Sequence, residues 1–193
     1  GATVIANLSA SVETVGKDDY RRALVTGQSG RLVCGYLYAN AGEGESTTDL
    51  VFSGHSMIAE NGSMLAQTGR FEQTMAVSEI DVQRLAFERR RLTTFPAGDA
   101  QSFLTIPFSM PLTETKLTLP VPALPFVPPK GPGRDQCCAG ILQVQAHGLK
   151  KRIDHTGAKT AVVGISGGLD SALALLVCVR AMELLGRPRT DVH

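Results

Sequence analysis

Between the β-branched run Thr160-Ala161-Val162-Val163 and an apolar-periodic segment lies the octapeptide Gly164-Ile165-Ser166-Gly167-Gly168-Leu169-Asp170-Ser171. Few local sequences leave a chain so little choice. A strand that breaks into a Ser/Gly loop and resumes as a helix gathers loop amides at a helix N-terminus, where partial positive charge collects. Glycines let that backbone approach an anion closely. The pattern implies a phosphate cradle, and so a chain that handles nucleotides. It lacks the lysine of G-x-x-x-x-G-K-[ST], which separates it from the Walker A loop. The plainer alternative is a glycine-rich turn in which Asp170 and Ser171 only cap the helix.

The rest of the chain sets the frame for that loop. Its 193 residues could hold one large or two small domains, and 43% hydrophobic with 19% charged residues describes an ordinary soluble globular protein. A net charge of +1 gives no long-range pull toward nucleic acid or an anionic membrane. The densest basic cluster, Glu88-Arg89-Arg90-Arg91, closes a predicted helix, where cations suit the helix dipole. Cys34, Cys137, Cys138 and Cys178 form neither a C-x-x-C pair nor a disulfide framework, which fits reduced thiols and a cytoplasmic location. No stretch approaches the ~18 apolar residues of a membrane span. The chain opens on Gly1 without methionine and runs directly into an apolar strand, and one strand, loop and helix at its other end cannot bury both faces of a doubly wound sheet. An internal fragment of a longer chain is the expectation.

Periodicity and turn residues divide the chain. Residues 3–9 read as a buried strand; a helix follows over 17–29, with Asp18 and Asp19 in its first turn and Gly30 near its end. Residues 31–39 have strand composition, and a Gly/Glu/Ser loop over 42–47 interrupts it. Asn61-Gly62 between short apolar runs predicts a hairpin with a type I′ turn. One more strand is expected over 74–80 and a helix over 81–91. From 95 to 134 the texture changes: nine of the ten prolines fall between Pro96 and Pro132, so neither regular helix nor central strand is expected there. This reads as a connector whose Ile106-Pro107-Phe108 and Leu117-Thr118-Leu119 dock apolar side chains. A second unit then starts with a helix over 138–153 carrying Ile141, Val144 and Leu149. A strand over 160–165 and a helix over 171–185 complete it, with Leu173, Leu176 and Val177 as the inward stripe and Gly186 and Pro188 as the stop.

Ser-Gly-Gly-x-Asp-Ser resembles the PP-loop of ATP pyrophosphatases, which split ATP into AMP and pyrophosphate. That resemblance implies that Gly164, Ile165, Ser166, Gly167, Gly168, Leu169, Asp170 and Ser171 bind ATP, with Asp170 helping to hold Mg²⁺. Upstream, Gly1-Ala2-Thr3-Val4-Ile5-Ala6-Asn7-Leu8-Ser9-Ala10-Ser11, Gly16-Lys17-Asp18-Asp19-Tyr20-Arg21-Arg22 and Gly42-Glu43-Gly44-Glu45-Ser46-Thr47-Thr48-Asp49-Leu50 resemble the C-terminal half of a nitrilase-like amidase domain. Gly54-His55-Ser56 and Glu60-Asn61-Gly62 belong to the same likeness. In this order the two signatures resemble the glutamine-dependent NAD⁺ synthetases of the bacterial type. The fold implied is α/β: the C-terminal half of a nitrilase-like αββα sandwich over 1–94, the Pro-rich connector over 95–134, and over 135–193 the first strand, loop and helix of a Rossmann-like PP-loop domain.

The resemblance also implies a chemistry. A Glu–Lys–Cys triad hydrolyses glutamine, ammonia crosses the protein, and ATP activates deamido-NAD⁺ for amidation to NAD⁺. The triad lies upstream of these residues, so no catalytic member is expected here, and Cys34 reads as a buried structural thiol. Ser11 and Lys17 are the implied glutamine-binding positions, against plainer roles as a turn residue and a solvated charge. His55, His147 and His155 show no metal-ligand spacing. Glu43 and Glu45 suit loop structure or contacts near the amidase pocket. Partners would be the small-molecule substrates and further copies of the whole protein as a homo-oligomer. Two other readings stay open: another ammonia-using ATP pyrophosphatase, and a non-catalytic nucleotide-binding or scaffold protein. The isolated 193 residues are expected to show neither glutaminase nor synthetase activity.

Overall fold

An alternating β-α-β start followed by a hairpin sets the architecture of the first part of the chain. The computed structural model describes residues 1–95, 103–128 and 130–193. Strand β1 (Val4–Ser9), helix α1 (Lys17–Leu32) and strand β2 (Gly35–Asn40) form the β-α-β unit, its strands paired in parallel from Val4 opposite Gly35 to Ser9 opposite Asn40. Strands β3 (Met57–Glu60) and β4 (Ser63–Gln67) extend the sheet antiparallel, in the order β1-β2-β3-β4. Asn61 and Gly62 link them at φ 44° and 86°, the two positive values that a type I′ turn requires. Helix α1 packs against β2, β3 and β4. Val25 of the helix meets Tyr38, Met57 and Ala59 of the sheet in a buried cluster. Met57, 1% exposed, contributes about 2 kcal/mol by leaving water.

Helix α2 (Val82–Arg91) starts at Asp81, whose carboxylate accepts the Arg84 N–H at 2.8 Å, and it buries Leu85. The contacts divide the chain into Gly1–Pro120 and Val121–His193. In the second unit, α3 (Pro132–Thr156) packs against α4 (Leu169–Leu184) around Ile153, Ala181 and Met182. Gly186, at φ 68°, closes α4: its N–H donates to Glu183 and the Arg187 N–H to Met182, the paired bonds of a Schellman ending. Among the described residues no helix is long and apolar enough to cross a membrane.

Several expectations need correction. Helix α1 runs past Gly30 and closes at Val33, in left-handed geometry at φ 47°. Gly30 serves a close approach instead, since a Cβ there would lie 3.2 Å from the Gly62 Cα. β1 is an edge strand with Val4 and Leu8 exposed, not a buried one, because among the described residues only β2 flanks it. Residues 74–80 form no strand; among the described residues no segment pairs with them, and Ile80 instead packs over Gly35 at the start of β2. Residues 160–165 hold one parallel bridge, Ala161 to Val192, because among the described residues only the short segment 191–193 pairs there.

The connector segments Ile106-Pro107-Phe108 and Leu117-Thr118-Leu119 do not dock apolar side chains: Ile106, Phe108 and Leu117 are exposed. What holds the second segment is polar, with Thr118 and Leu119 N–H groups donating to the Glu79 carboxylate at 2.8 and 2.7 Å. Part of the expected connector, residues 96–102 and 129, lies outside the described residues. Helix α3 reaches back to Pro132, which the first turn tolerates because no intrahelical acceptor is needed for its missing N–H. In α4 the inward stripe is Cys178, Ala181 and Met182, while Leu173 and Leu176 face outward.

Candidate functional site

Lys17, Arg21, Leu24, Val25 and Gln28 run along one side of helix α1, with Arg21 and Val25 buried and Leu24 and Gln28 exposed. With Tyr20, and with Asn7, Ser11, Tyr36 and Tyr38 from the sheet side, these residues line a cavity of about 340 Å³. The structure thus brings the two expected glutamine-binding residues, Ser11 and Lys17, to one cavity. Lys17 is the first residue of α1, and Gly16 leads into the helix at φ 80°. Ser11 follows β1, outside any regular element.

Behind this cavity lies a buried ionic cluster. Arg21, 3% exposed, donates to Glu13 Oε2 at 3.0 Å, and the Ser53 hydroxyl donates to the same oxygen. Arg70 stands 3.9 Å from the other Glu13 oxygen, which has no hydrogen bond among the described residues. Burial pushes the Glu13 carboxyl up, but hydrogen bonds from Ser53 and Arg21 and the charges of Arg21 and Arg70 outweigh it, so it titrates below the usual range. Arg21 also lies 3.4 Å from His55 Nδ1. A guanidinium only donates, so this contact requires a lone pair on Nδ1 and hence a neutral ring. Burial, then the charges of Arg21 and Arg22, lower the His55 pKa against the opposing pull of Gln67 and Glu13. Finally, Arg21 Nη2 lies 3.5 Å from Ser11 Oγ, leaving the Ser11 proton free for an acceptor in the cavity.

Sequence reading found Ser11 and Lys17 but not Arg21 or Glu13. The signal was present for Arg21, four residues beyond Lys17 on the same helix face. Nothing local marks Glu13, whose partner Ser53 is 40 residues away. Glu43 and Glu45 line a different cavity, with Ser53 and Glu72, and Glu45 accepts from the Gly42 N–H at 3.5 Å, as loop structure would have it.

In the second unit the loop from Gly164 to Ser171 is a self-braced turn. Gly167 sits at φ 86°, where a side chain would be strained. Ser171 Oγ donates to the Gly168 carbonyl at 3.0 Å and accepts from the Ser166 N–H at 3.3 Å; the Ser166 and Ser171 hydroxyls are 3.3 Å apart. Helix α4 begins at Leu169, so Asp170 and Ser171 lie inside its first turn and neither caps it; Gly168 holds that place without a side-chain bond. Leu169, Asp170 and Ser171 therefore present amides that helix geometry leaves without intrahelical acceptors. Ile165, Leu169 and Asp170 are exposed, and among the described residues no group of acidic, His or Cys side chains could hold a metal unaided. Cys34 and Cys178 are buried, and burial raises both thiol pKa values, with Arg89 opposing it at Cys34. Both behave as structural thiols.

The chain aligns end to end with a glutamine-dependent NAD(+) synthetase of Mycobacterium bovis at 41% identity over 202 residues, covering 100% of this chain and 30% of that protein. Over its whole length the chain is similar to glutamine-dependent NAD(+) synthetases. The enzyme of that name from Mycobacterium leprae matches equally, at 41% over 202 residues, with 100% of this chain and 30% of that protein covered. The chain therefore spans about three tenths of the length of these synthetases. The family model described as NAD synthase matches residues 141–189, which include the whole Gly164–Ser171 loop. A crystal structure of a glutamine-dependent NAD(+) synthetase from Cytophaga hutchinsonii aligns over 95% of this chain and 23% of its own, at 20% identity and a TM-score of 0.38.

Proposed function

We propose that the protein carrying this chain amidates deamido-NAD⁺ to NAD⁺ at the expense of ATP, with ammonia drawn from glutamine. One observation carries the reading: 41% identity to synthetases of this activity extends across the whole chain, through both the Ser11–Lys17 cavity and the Gly164–Ser171 loop. In this reading residues 1–94 belong to the glutaminase, 95–134 connect, and 135–193 open the synthetase. Lys17 neutralises the α-carboxylate of glutamine and Ser11 donates its hydroxyl proton to a ligand oxygen. The first-turn amides of α4 with the Ser166 and Ser171 hydroxyls hold the phosphates of ATP. That donor set fits an anion, and Asp170 beside it offers the hard oxygen that suits Mg²⁺. Bound Mg²⁺ would neutralise phosphate charge.

A carboxylate resists attack by ammonia because its negative oxygen is a poor leaving group. Transfer of the adenylyl group of ATP to that oxygen, with release of pyrophosphate, makes AMP the group that ammonia displaces. Ammonia is largely protonated at neutral pH, so its production inside one protein preserves the free nucleophile.

The test uses the whole gene product with glutamine or ammonium chloride as nitrogen source. Lys17→Ala is expected to raise the glutamine KM and leave ammonia-driven synthesis unchanged. Ser166→Ala and Asp170→Asn are expected to suppress pyrophosphate release with either source while glutamine hydrolysis continues. Equal loss from Lys17→Ala with both nitrogen sources would overturn this division of labour.

A further inference from the structure

The β1–β2 ladder ends where Ser9 faces Asn40, with the Ala41 N–H donating to the Ser9 carbonyl at 2.8 Å. Two residues on, the Asn40 side chain takes over the ladder's task. The Ser11 N–H donates to Asn40 Oδ1 at 2.8 Å, and Asn40 Nδ2 donates to the Ser11 carbonyl at 3.3 Å. A primary amide offers one acceptor and donors as a peptide group does, so a single side chain satisfies both backbone groups of Ser11. Asn40 is itself held. Tyr38 OH donates to its Oδ1 at 3.3 Å, and its N–H donates to Ser56 Oγ at 3.2 Å. Ser56 is tied in turn, its N–H donating to Thr68 Oγ1 at 2.9 Å. Ser11 and Tyr38 line the 340 Å³ cavity, while Asn40 is absent from its lining.

We propose that Asn40 is a positioning residue for the glutamine site: it fixes the backbone of Ser11 so that the hydroxyl faces the cavity, and it tunes glutamine affinity through Ser11. The proposal rests on the reading of that cavity as the glutamine pocket. Ser11 has no strand or helix of its own to hold it, so its hydroxyl is as well placed as this amide clamp makes it. Preorganised contacts of this kind set ligand affinity more than they set fold stability.

The experiment measures steady-state NAD⁺ formation by the whole gene product with glutamine and, separately, with ammonium chloride. Asn40→Asp keeps the acceptor for the Ser11 N–H and loses the donor to its carbonyl, while Asn40→Ala loses both. The glutamine KM is expected to rise about threefold and about tenfold respectively, the size of one and two partial hydrogen-bond losses, with ammonia-driven kcat and KM unchanged. Adding Ser11→Ala to Asn40→Ala is expected to produce little further rise, since both act through one contact. An unchanged glutamine KM in Asn40→Ala, when Ser11→Ala alone raises it, overturns the role of Asn40 and leaves the pocket reading standing. Unchanged glutamine KM in both Ser11→Ala and Lys17→Ala overturns the pocket reading and this proposal with it. A parallel loss of ammonia-driven rate marks Asn40 as merely structural and also overturns the proposal. Asn40→Asp decides the matter should Asn40→Ala fail to fold.

Discussion

Replacing Arg21 by Met removes one half of a buried ion pair and keeps most of its volume. Glu13 and Arg21 have side chains only 7% and 4% exposed and meet at 3.0 Å. Breaking such a pair from one side costs roughly 3–5 kcal/mol, because the other charge stays buried without its partner. Here Glu13 would keep the Ser53 hydroxyl and the more distant Arg70, itself 45% exposed at 3.9 Å. The loss should therefore fall near the lower end, about 3 kcal/mol. Adding Glu13→Gln removes the stranded charge while an oxygen still accepts from Ser53, so the double variant should recover more than half of that loss. Urea unfolding of the 193-residue chain, followed by tyrosine emission, reads the relevant unit, because Tyr20, Tyr36 and Tyr38 are its only tyrosines and it has no tryptophan. Acid provides a second readout. The Glu13 pKa is depressed in the fold, so its stabilisation is present above the unfolded value of 4.5 and is lost as pH falls through the folded one. The gap between wild type and Arg21→Met should accordingly narrow below that pH. A loss under about 1 kcal/mol, or a double variant no more stable than the single, would refute the reasoning.

Three further outcomes are expected. His55 has a depressed pKa, so the unfolded chain takes up its proton first and stability falls as pH drops through 6.5. His55→Gln should flatten that slope, by at most about 1.4 kcal/mol per pH unit, in urea midpoints taken from pH 7 to 5; equal slopes would refute the assignment. Gly30→Ala should lower the melting temperature although alanine favours helices by about 1 kcal/mol, because its Cβ would press on the Gly62 backbone at 3.2 Å; a rise would show that the hairpin yields. Glu79→Gln should speed amide exchange at Thr118 and Leu119, whose N–H groups would face a weaker acceptor; unchanged exchange would show that other contacts hold this segment.

What could be read from the residues alone was whatever short-range geometry dictates. Asn61-Gly62 announces its turn because few residue pairs accept two positive φ values, and Asp81 announces a helix start because its carboxylate reaches the third amide on. Strands fared unevenly for a reason outside their own sequence. Residues 74–80 and 160–165 both read as strands, yet a strand exists only where a neighbour supplies hydrogen bonds. Gly30 shows the opposite ambiguity: a glycine near a helix end signals a stop or a close contact equally, and only the position of Gly62 decides. At the site, Ser11 and Lys17 were visible through resemblance. The support of Ser11 by Asn40, 29 residues away, and of Glu13 by Ser53, 40 residues away, is long-range pairing that no local pattern encodes.

The basic tail of α2 looked like ordinary complement to a helix dipole, yet Arg89 departs from that description. Its guanidinium donates to the carbonyls of Gly1, Ala2, Leu32 and Val33, at 3.0, 2.7, 3.0 and 2.9 Å. One side chain thus sews the entry to β1, the last turn of α1 and α2 into a single knot. Such a knot makes the order of opening a matter of sequence position: α2 cannot peel away without releasing the end of α1 and the entry to the edge strand. Those segments should share one opening free energy in native-state exchange, although the chain visits them some 57 residues apart.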